Sequence, residues 1–169
     1  EPQAGSDASS LRTTAKKTAD GYVINGVKQF ITSGKNGQVA IVIAVTDKGA
    51  GKKGMSAFIV PTRTPGYVVA RLEDKLGQNS SDTAQINFDN CRVPTENLIG
   101  LEGEGYRIAL SALEGGRIGI AAQSVGMARS ALDVAIAYAK DRQSFGTAII
   151  NHQAVGFRLA DCATQIEAA

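Results

Sequence analysis

Tyr22-Val23-Ile24-Asn25-Gly26-Val27-Lys28-Gln29-Phe30-Ile31-Thr32-Ser33-Gly34 decides how the N-terminal part of the chain folds. β-Branched and aromatic residues crowd the stretch. Asn25-Gly26 at its middle is the strongest short-range signal for a two-residue hairpin turn. The segment is therefore predicted to be two short strands, Tyr22 to Ile24 and Lys28 to Ile31, reversed at Asn25-Gly26. Working outward, Val39 to Thr46 reads as a buried strand and Met55 to Val60 as another. Thr64-Pro65-Gly66 marks a turn, and Tyr67 to Arg71 and Ala84 to Phe88 follow as strands. Such a set of about six or seven short strands predicts an antiparallel barrel or sandwich rather than a parallel sheet.

Near residue 100 the pattern changes. Ala121, Val125, Ala128, Leu132, Ala135 and Ala139 recur in steps of four and three, which marks one face of a helix. Gly146 reads as a stop and Asn151 as the cap of a second helix, where Val155, Leu159, Cys162 and Ile166 repeat the spacing. The fold class is thus α+β. A β-domain over residues 1–100 is followed, over 101–169, by two long antiparallel helices of an incomplete four-helix bundle. Their apolar faces need partners.

The 169 residues suffice for a real core, with 43% apolar and 20% charged residues in the ordinary globular range. A net charge of +2 gives no reason to expect nucleic acid or a membrane surface as a partner. No apolar run approaches a bilayer span. Cys91 and Cys162 lack metal-ligand spacing and read as two free thiols, so no metal site is expected. Gly49-Ala50-Gly51-Lys52-Lys53-Gly54 matches a nucleotide fingerprint literally, but the next segment reads as a strand. Without a helix N-terminus to face a phosphate, it is a hairpin loop.

Four segments could carry chemistry. Ala4, Gly5 and Ser6 let main-chain amides approach a ring or phosphate, and Asp7 can fix the turn, although an ordinary Ser-Asp turn accounts for the same residues. Phe30-Ile31-Thr32 sets an aromatic ring beside a hydroxyl at a strand end, which suits a flat cofactor or plain core packing. In Glu114-Gly115-Gly116-Arg117 a glycine pair interrupts the helix, at about 1 kcal/mol each against Ala unless something approaches the backbone. Glu114 and Arg117 share a face and also suit a local ion pair. Last, Arg142-Gln143-Ser144-Phe145-Gly146 with His152-Gln153 joins a guanidinium to a helix N-terminus, either an anion site or a solvated capping loop. For His152, the only histidine, a contact flanking a cofactor fits better than acid–base catalysis.

In this order and spacing, Glu1-Pro2-Gln3-Ala4-Gly5-Ser6-Asp7 and Asn25 to Gly34 resemble the flavin-binding middle domain of acyl-CoA dehydrogenases. Lys75-Leu76-Gly77, Arg92-Val93-Pro94 and Glu102-Gly103-Glu104-Gly105 fit the same family, and the resemblance covers essentially the whole chain. The family's first motif reads Thr-Glu-Pro-x-Ala-Gly-Ser-Asp, so the chain is expected to be a piece of a longer enzyme. By the resemblance, Ala4, Gly5 and Ser6 line FAD and its pyrophosphate, and Ser6 also touches the acyl-CoA. Phe30, Ile31 and Thr32 pack on the flavin, with Phe30 where the family usually has Trp. Glu114, Gly115, Gly116 and Arg117 correspond to an Asp-x-x-Arg element that binds the substrate's CoA, with Glu114 in place of the shorter Asp. Arg142, Ser144, Phe145 and Gln153 take the pyrophosphate and adenosine side of FAD across a subunit interface.

The resemblance implies oxidation of an acyl-CoA thioester to the trans-2-enoyl-CoA, in fatty acid β-oxidation or amino-acid catabolism, with electrons passed to electron-transfer flavoprotein. Some members place the base directly before the Arg. Here that position is Gly116, so no catalytic residue is assigned and the base is expected beyond Ala169. The isolated chain is expected to turn over little or no substrate. Gly115-Gly116-Arg117-Ile118-Gly119 leans toward the short-chain, butyryl-type members. A homotetramer (a dimer of dimers) is implied for the full-length protein, cytoplasmic if bacterial and in the mitochondrial matrix if eukaryotic. Two rivals are a flavin oxidase or monooxygenase on the same fold and a non-catalytic assembly module.

Overall fold

A computed structural model describes all of residues 1–169. The chain divides into two compact units, Glu1–Ser111 and Ala112–Ala169. Unit one is an open seven-stranded sheet. Its strands are β1 (Thr14–Lys17), β2 (Gly21–Thr32), β3 (Val39–Val45), β4 (Met55–Pro61), β5 (Tyr67–Leu72), β6 (Thr83–Pro94) and β7 (Leu98–Ile99), in the order β5-β6-β2-β1-β3-β4-β7. The mixed α+β class stands, but the sheet does not close into a barrel, since β5 and β7 remain edges. Nor is it antiparallel throughout, because β1 runs parallel to β3.

The hairpin predicted at Asn25-Gly26 does not form. Residues 21–32 are one twelve-residue strand, and the hairpin is made instead by β1 and β2, paired from Thr14↔Asn25 to Lys17↔Tyr22. Gly26 serves a close crossing. Its φ is +149°, and a Cβ there would lie 2.5–2.8 Å from atoms of Thr13. Asn25 holds a β-bulge on the opposite strand. From Ile24↔Cys91 to Gly26↔Phe88, β2 advances two residues while β6 advances three, and Asn90 takes φ 48°. The Asn90 amide donates to Asn25 Oδ1 at 2.8 Å. This extra residue lets Ala84, Ile86 and Phe88 on one side, and Cys91 and Val93 on the other, all face the core.

That core includes Tyr22, Ile24, Val42, Ala44, Phe58 and Val60. β2 and β4 are not neighbours in the sheet, yet the Tyr22 and Phe58 rings meet at 4.8 Å. The sheet therefore curls until its own inner face closes the core. β3 and β4 pair from Val39↔Pro61 to Val45↔Met55, joined by 3-10 turns over Lys48–Gly54. The glycine-rich decoy is thus a hairpin connection followed by a strand.

α1 (Gly105–Asp141) begins where the backbone passes against Ser56, which a Cβ on Gly105 would meet at 2.5 Å. It runs without a break through Gly115-Gly116, where an interruption is predicted. A two-residue hairpin follows, β8 (Gln143–Ser144) and β9 (Thr147–Ala148), turned by Phe145 at φ 53° and Gly146 at φ 77°. Gly146 therefore turns a hairpin rather than stopping a helix. α2 (Gln153–Ala168) is capped at His152, and Asn151 bonds the Thr147 hydroxyl instead of capping it. Ala128, Leu132 and Ala135 of α1 and Leu159, Cys162 and Ile166 of α2 line one groove of about 400 Å³. With Arg129 paired to Glu167 near its end, the helices run antiparallel along the predicted stripes. No helix is long and apolar enough to cross a membrane.

Candidate functional site

Glu1 organises the first segment. Its carboxylate accepts from the amides of Arg12 at 2.6 Å and Thr13 at 3.1 Å, and from the Lys28 ammonium at 2.7 Å. Lys28 also donates to the Ile43 carbonyl at 2.8 Å. Both side chains are largely buried, Glu1 to 3% exposure. Burial raises the Glu1 carboxyl, but Lys28 and the two amides outweigh it and hold it at about 2. The same burial pushes Lys28 down, with Glu1 opposing. Both residues lie within the two motif segments, yet the sequence assigns neither a role. Lys28 does share the inward parity of Tyr22 and Ile24, where a lysine is unusual and demands a partner.

Ala4 is buried, while Gly5 and Ser6 are exposed and a Cβ on Gly5 would meet nothing within 4 Å. Asp7 fixes the next turn by accepting from the Ser9 amide at 3.1 Å and hydroxyl at 2.5 Å, and from the Ser10 hydroxyl. Those bonds, that of Ser10 first, lower its carboxyl. The result is a rigid turn with an accessible main chain just ahead of it.

β2 breaks register a second time between Lys28↔Ile86 and Ile31↔Ala84, with the extra residue now on β2. Phe30 sits in that bulge at φ 58°, a left-handed conformation that a bulky residue rarely adopts. Its ring stands 66% exposed. Ile31 returns to pack on the core, and Thr32 is exposed. The loop beyond is anchored, since the Ser33 amide donates to the Asp82 carbonyl at 2.9 Å and the Lys35 amide to the Asp82 carboxylate at 2.8 Å. Tyr67 donates to the Gly34 carbonyl at 2.8 Å. Phe30 is thus an out-turned aromatic on left-handed backbone, next to a loop held by these three bonds.

In unit two, Glu114, Gly115, Gly116 and Arg117 are exposed on α1, and no ion pair joins Glu114 to Arg117. A Cβ on Gly115, Gly116 or Gly119 would meet nothing within 4 Å. Nothing in the chain therefore requires these glycines. Phe145, 96% exposed, projects from the small hairpin with its ring edge-on to His152 at 6.1 Å. His152 Nε2 lies 3.2 Å from the Ser144 carbonyl. Arg142 and Gln153 are exposed beside it. No group of His, Cys, Asp and Glu is placed to hold a metal.

Residues 1–91 match the acyl-CoA dehydrogenase middle domain, and residues 103–169 match the acyl-CoA dehydrogenase C-terminal domain. The whole chain is 50% identical to an acyl-CoA dehydrogenase of Bacillus subtilis and 47% identical to the short-chain specific acyl-CoA dehydrogenase of Megasphaera elsdenii, covering 45% and 44% of those proteins. Butyryl-CoA dehydrogenase from M. elsdenii superposes over 99% of the chain and 44% of its own, with TM-score 0.95 at 47% identity. A chain in the structure described as the electron transferring flavoprotein of Acidaminococcus fermentans does so with TM-score 0.96 at 50% identity, over 99% and 44%. The chain thus spans less than half the length of the relatives it matches. With its sheet-bearing part matching the family's middle domain and its helices the family's C-terminal domain, the chain belongs to the acyl-CoA dehydrogenase family.

Proposed function

We propose that residues 1–169 are the middle β-domain, over 1–100, and the start of the helical domain, over 101–169, of an FAD-dependent acyl-CoA dehydrogenase. The enzyme oxidises short acyl-CoA thioesters to trans-2-enoyl-CoA and passes the electrons to electron-transfer flavoprotein. The observation that carries this reading is Phe30, a bulky residue held in the left-handed region with its ring turned outward. Left-handed backbone of this kind costs roughly 1–2 kcal/mol and is found preferentially at ligand-binding positions. Identity of 47% to a short-chain specific relative supports the substrate class.

The residues present fit FAD. An open main chain at Gly5, the exposed Phe30 ring and Thr32 hydroxyl, and the projecting Phe145 beside Arg142 offer amides, aromatic surfaces and a cation. Ala4, Gly5, Ser6, Phe30, Ile31 and Thr32 would hold the flavin and its pyrophosphate. Arg142, Ser144, Phe145 and Gln153 would hold the nucleotide end of a neighbouring subunit's FAD in a homotetramer. Bound FAD supplies the two-electron acceptor. In unit one the Ser6 hydroxyl would contact the thioester; in unit two Glu114 and Arg117 would supply polar contacts to it, and Gly115 and Gly116 leave the backbone open. Gly116 has no group to take the α proton, so the base is contributed from outside residues 1–169. The protein works in the cytoplasm of a bacterium or the mitochondrial matrix of a eukaryote.

The test is anaerobic addition of butyryl-CoA to the full-length flavoprotein, followed by air or by electron-transfer flavoprotein. Bleaching of the flavin band, slow recovery in air and fast recovery with the flavoprotein are expected. Rapid recovery in air would instead make the protein an oxidase, and a colourless protein that takes up no FAD would make it an assembly module.

A further inference from the structure

β1 lies between β2 and β3, but its pairing with them begins only at Thr14, opposite Asn25 of β2 and Val45 of β3. Past that level, residues 26–32 of β2 and 39–44 of β3 have no strand between them. A lysine bridges the gap. From β2, the Lys28 ammonium donates to the Ile43 carbonyl of β3 at 2.8 Å and to the Glu1 carboxylate at 2.7 Å. With Ile31, Val42, Ile86 and Phe88 it lines a cavity of about 60 Å³, among apolar neighbours. Burying an ammonium there is costly, and an apolar pair of similar volume commonly serves stability as well as a buried ion pair does. What the charged pair adds is fixed direction and spacing between the groups it joins.

Those groups are the two segments assigned to the flavin. On one side, the Glu1 carboxylate accepts from the Arg12 and Thr13 amides and from the Gln3 side chain at 2.9 Å, which closes residues 1–13 into a loop. Ala4, Gly5 and Ser6 lie inside that loop, and the Ala4 amide donates to the Glu1 carbonyl at 3.2 Å. On the other side, Lys28 pairs with Ile86 at the last register position before the bulge that carries Phe30, and pairing resumes at Ile31↔Ala84. No other hydrogen bond joins residues 1–12 to residues 27–34. Resting on the flavin reading above, we infer that Lys28 is a positioning residue for FAD, fixing the Ala4–Ser6 main chain and the Phe30 ring as one preformed grip. The cofactor then binds without first having to order two loose segments.

The test uses the full-length flavoprotein, stripped of FAD and reconstituted, as the parent, Lys28→Met, the Glu1→Gln/Lys28→Met double variant and Val93→Ala. Val93 is buried in the same core, paired with Tyr22 at the other end of β2, so its truncation weakens the fold without touching the clasp. All four are compared at a temperature at which each is folded by far-ultraviolet circular dichroism. Lys28→Met and the double variant are expected to bind FAD about tenfold or more weakly than the parent, and Val93→Ala within about twofold of it. The double variant regains most of the folding stability but not the FAD affinity, and it carries the comparison if Lys28→Met alone does not fold. At saturating FAD, the visible circular dichroism of the bound flavin changes in both Lys28 variants and stays as in the parent in Val93→Ala. Equal FAD affinity in Lys28→Met and Val93→Ala, unchanged flavin dichroism, or recovery of FAD affinity together with stability in the double variant would each overturn the inference and leave the flavin reading intact. A parent that takes up no FAD would instead remove that reading, and the positioning role with it.

Discussion

The Glu1 carboxylate meets the Lys28 ammonium at 2.7 Å, and this buried pair ties the segment leading to Ser6 onto β2 two residues before Phe30. It joins two stretches of sequence that would otherwise be independent loops. Removing one partner leaves the other buried without compensation, a penalty of about 3–5 kcal/mol for a fully buried pair. Glu1→Gln is therefore expected to destabilise the chain by roughly 2–4 kcal/mol in urea unfolding. Pairing it with Lys28→Met should recover a large part of that loss. If the double variant is as unstable as the sum of the singles, the two groups are not coupled.

The same pair sets an acid limit. Glu1 is held at about 2 in the folded chain against 4.5 unfolded, so the unfolded state binds the proton more readily. Its contribution, roughly 3 kcal/mol, is fully present above pH 4.5 and is lost as pH falls through 2. Unfolding free energies measured between those limits should fall in the parent and flatten in Glu1→Gln. Parallel curves for the two would show that Glu1 does not titrate as the geometry requires.

Phe30 separates stability from binding. Phe30→Gly relieves left-handed strain of roughly 1–2 kcal/mol, offset by about 0.5–1 kcal/mol of extra freedom in the unfolded chain. The ring is mostly exposed, so little burial is lost. Thermal stability should hold or rise slightly while the flavin content of the purified full-length protein drops. Phe30→Trp keeps the aromatic face and should retain flavin. A clear loss of stability in Phe30→Gly with normal flavin content would mean that the ring serves packing.

Short runs of apolar and β-branched residues between turn signals revealed β3, β4, β5 and the middle of β6, although only β6 buries strictly alternate residues there and β5 lies mostly exposed. The α1 and α2 stripes were legible at helical period. Asn25-Gly26 misled because the signal for a hairpin turn and the demands of a bulge with a tight crossing call for the same two residues. Only the position of Thr13, a tertiary fact, separates them. β1 and β7 escaped notice, one polar and the other two residues long. Phe30 and Thr32 could be picked out by residue type, but the left-handed bulge between Lys28 and Ile31 depends on how β2 pairs with β6. Glu1–Lys28 was hidden because its partners lie 27 residues apart with no local pattern linking them.

Gly26→Ala tests the crossing directly. A methyl there would enter a space where Thr13 atoms lie at 2.5–2.8 Å, on a backbone at φ +149°. Thr13 is buried with its hydroxyl unpaired. A loss of about 3 kcal/mol or more is expected in chemical unfolding. A hairpin turn at this position would tolerate Asn or Asp in place of Gly26 nearly as well, since both enter the left-handed region. The crossing forbids them, so Gly26→Asn should be no milder than Gly26→Ala.

Gly115 and Gly116 should respond in the opposite sense. Both lie inside α1 with open space where a Cβ would go, so alanine meets no clash within the chain and gains helix propensity. Each Gly→Ala change is expected to raise the stability of residues 1–169 by up to about 1 kcal/mol. If a thioester runs along this backbone, as proposed, the same methyls obstruct it, and the full-length protein should bind butyryl-CoA at least about tenfold more weakly. Stability and affinity then move in opposite directions at the same two positions, which neither a packing role nor a neutral surface would produce. Alanine variants that gain stability and keep full affinity would remove Gly115 and Gly116 from the substrate path. They would leave Arg117, on the same exposed turn, as the residue to examine by Arg117→Gln.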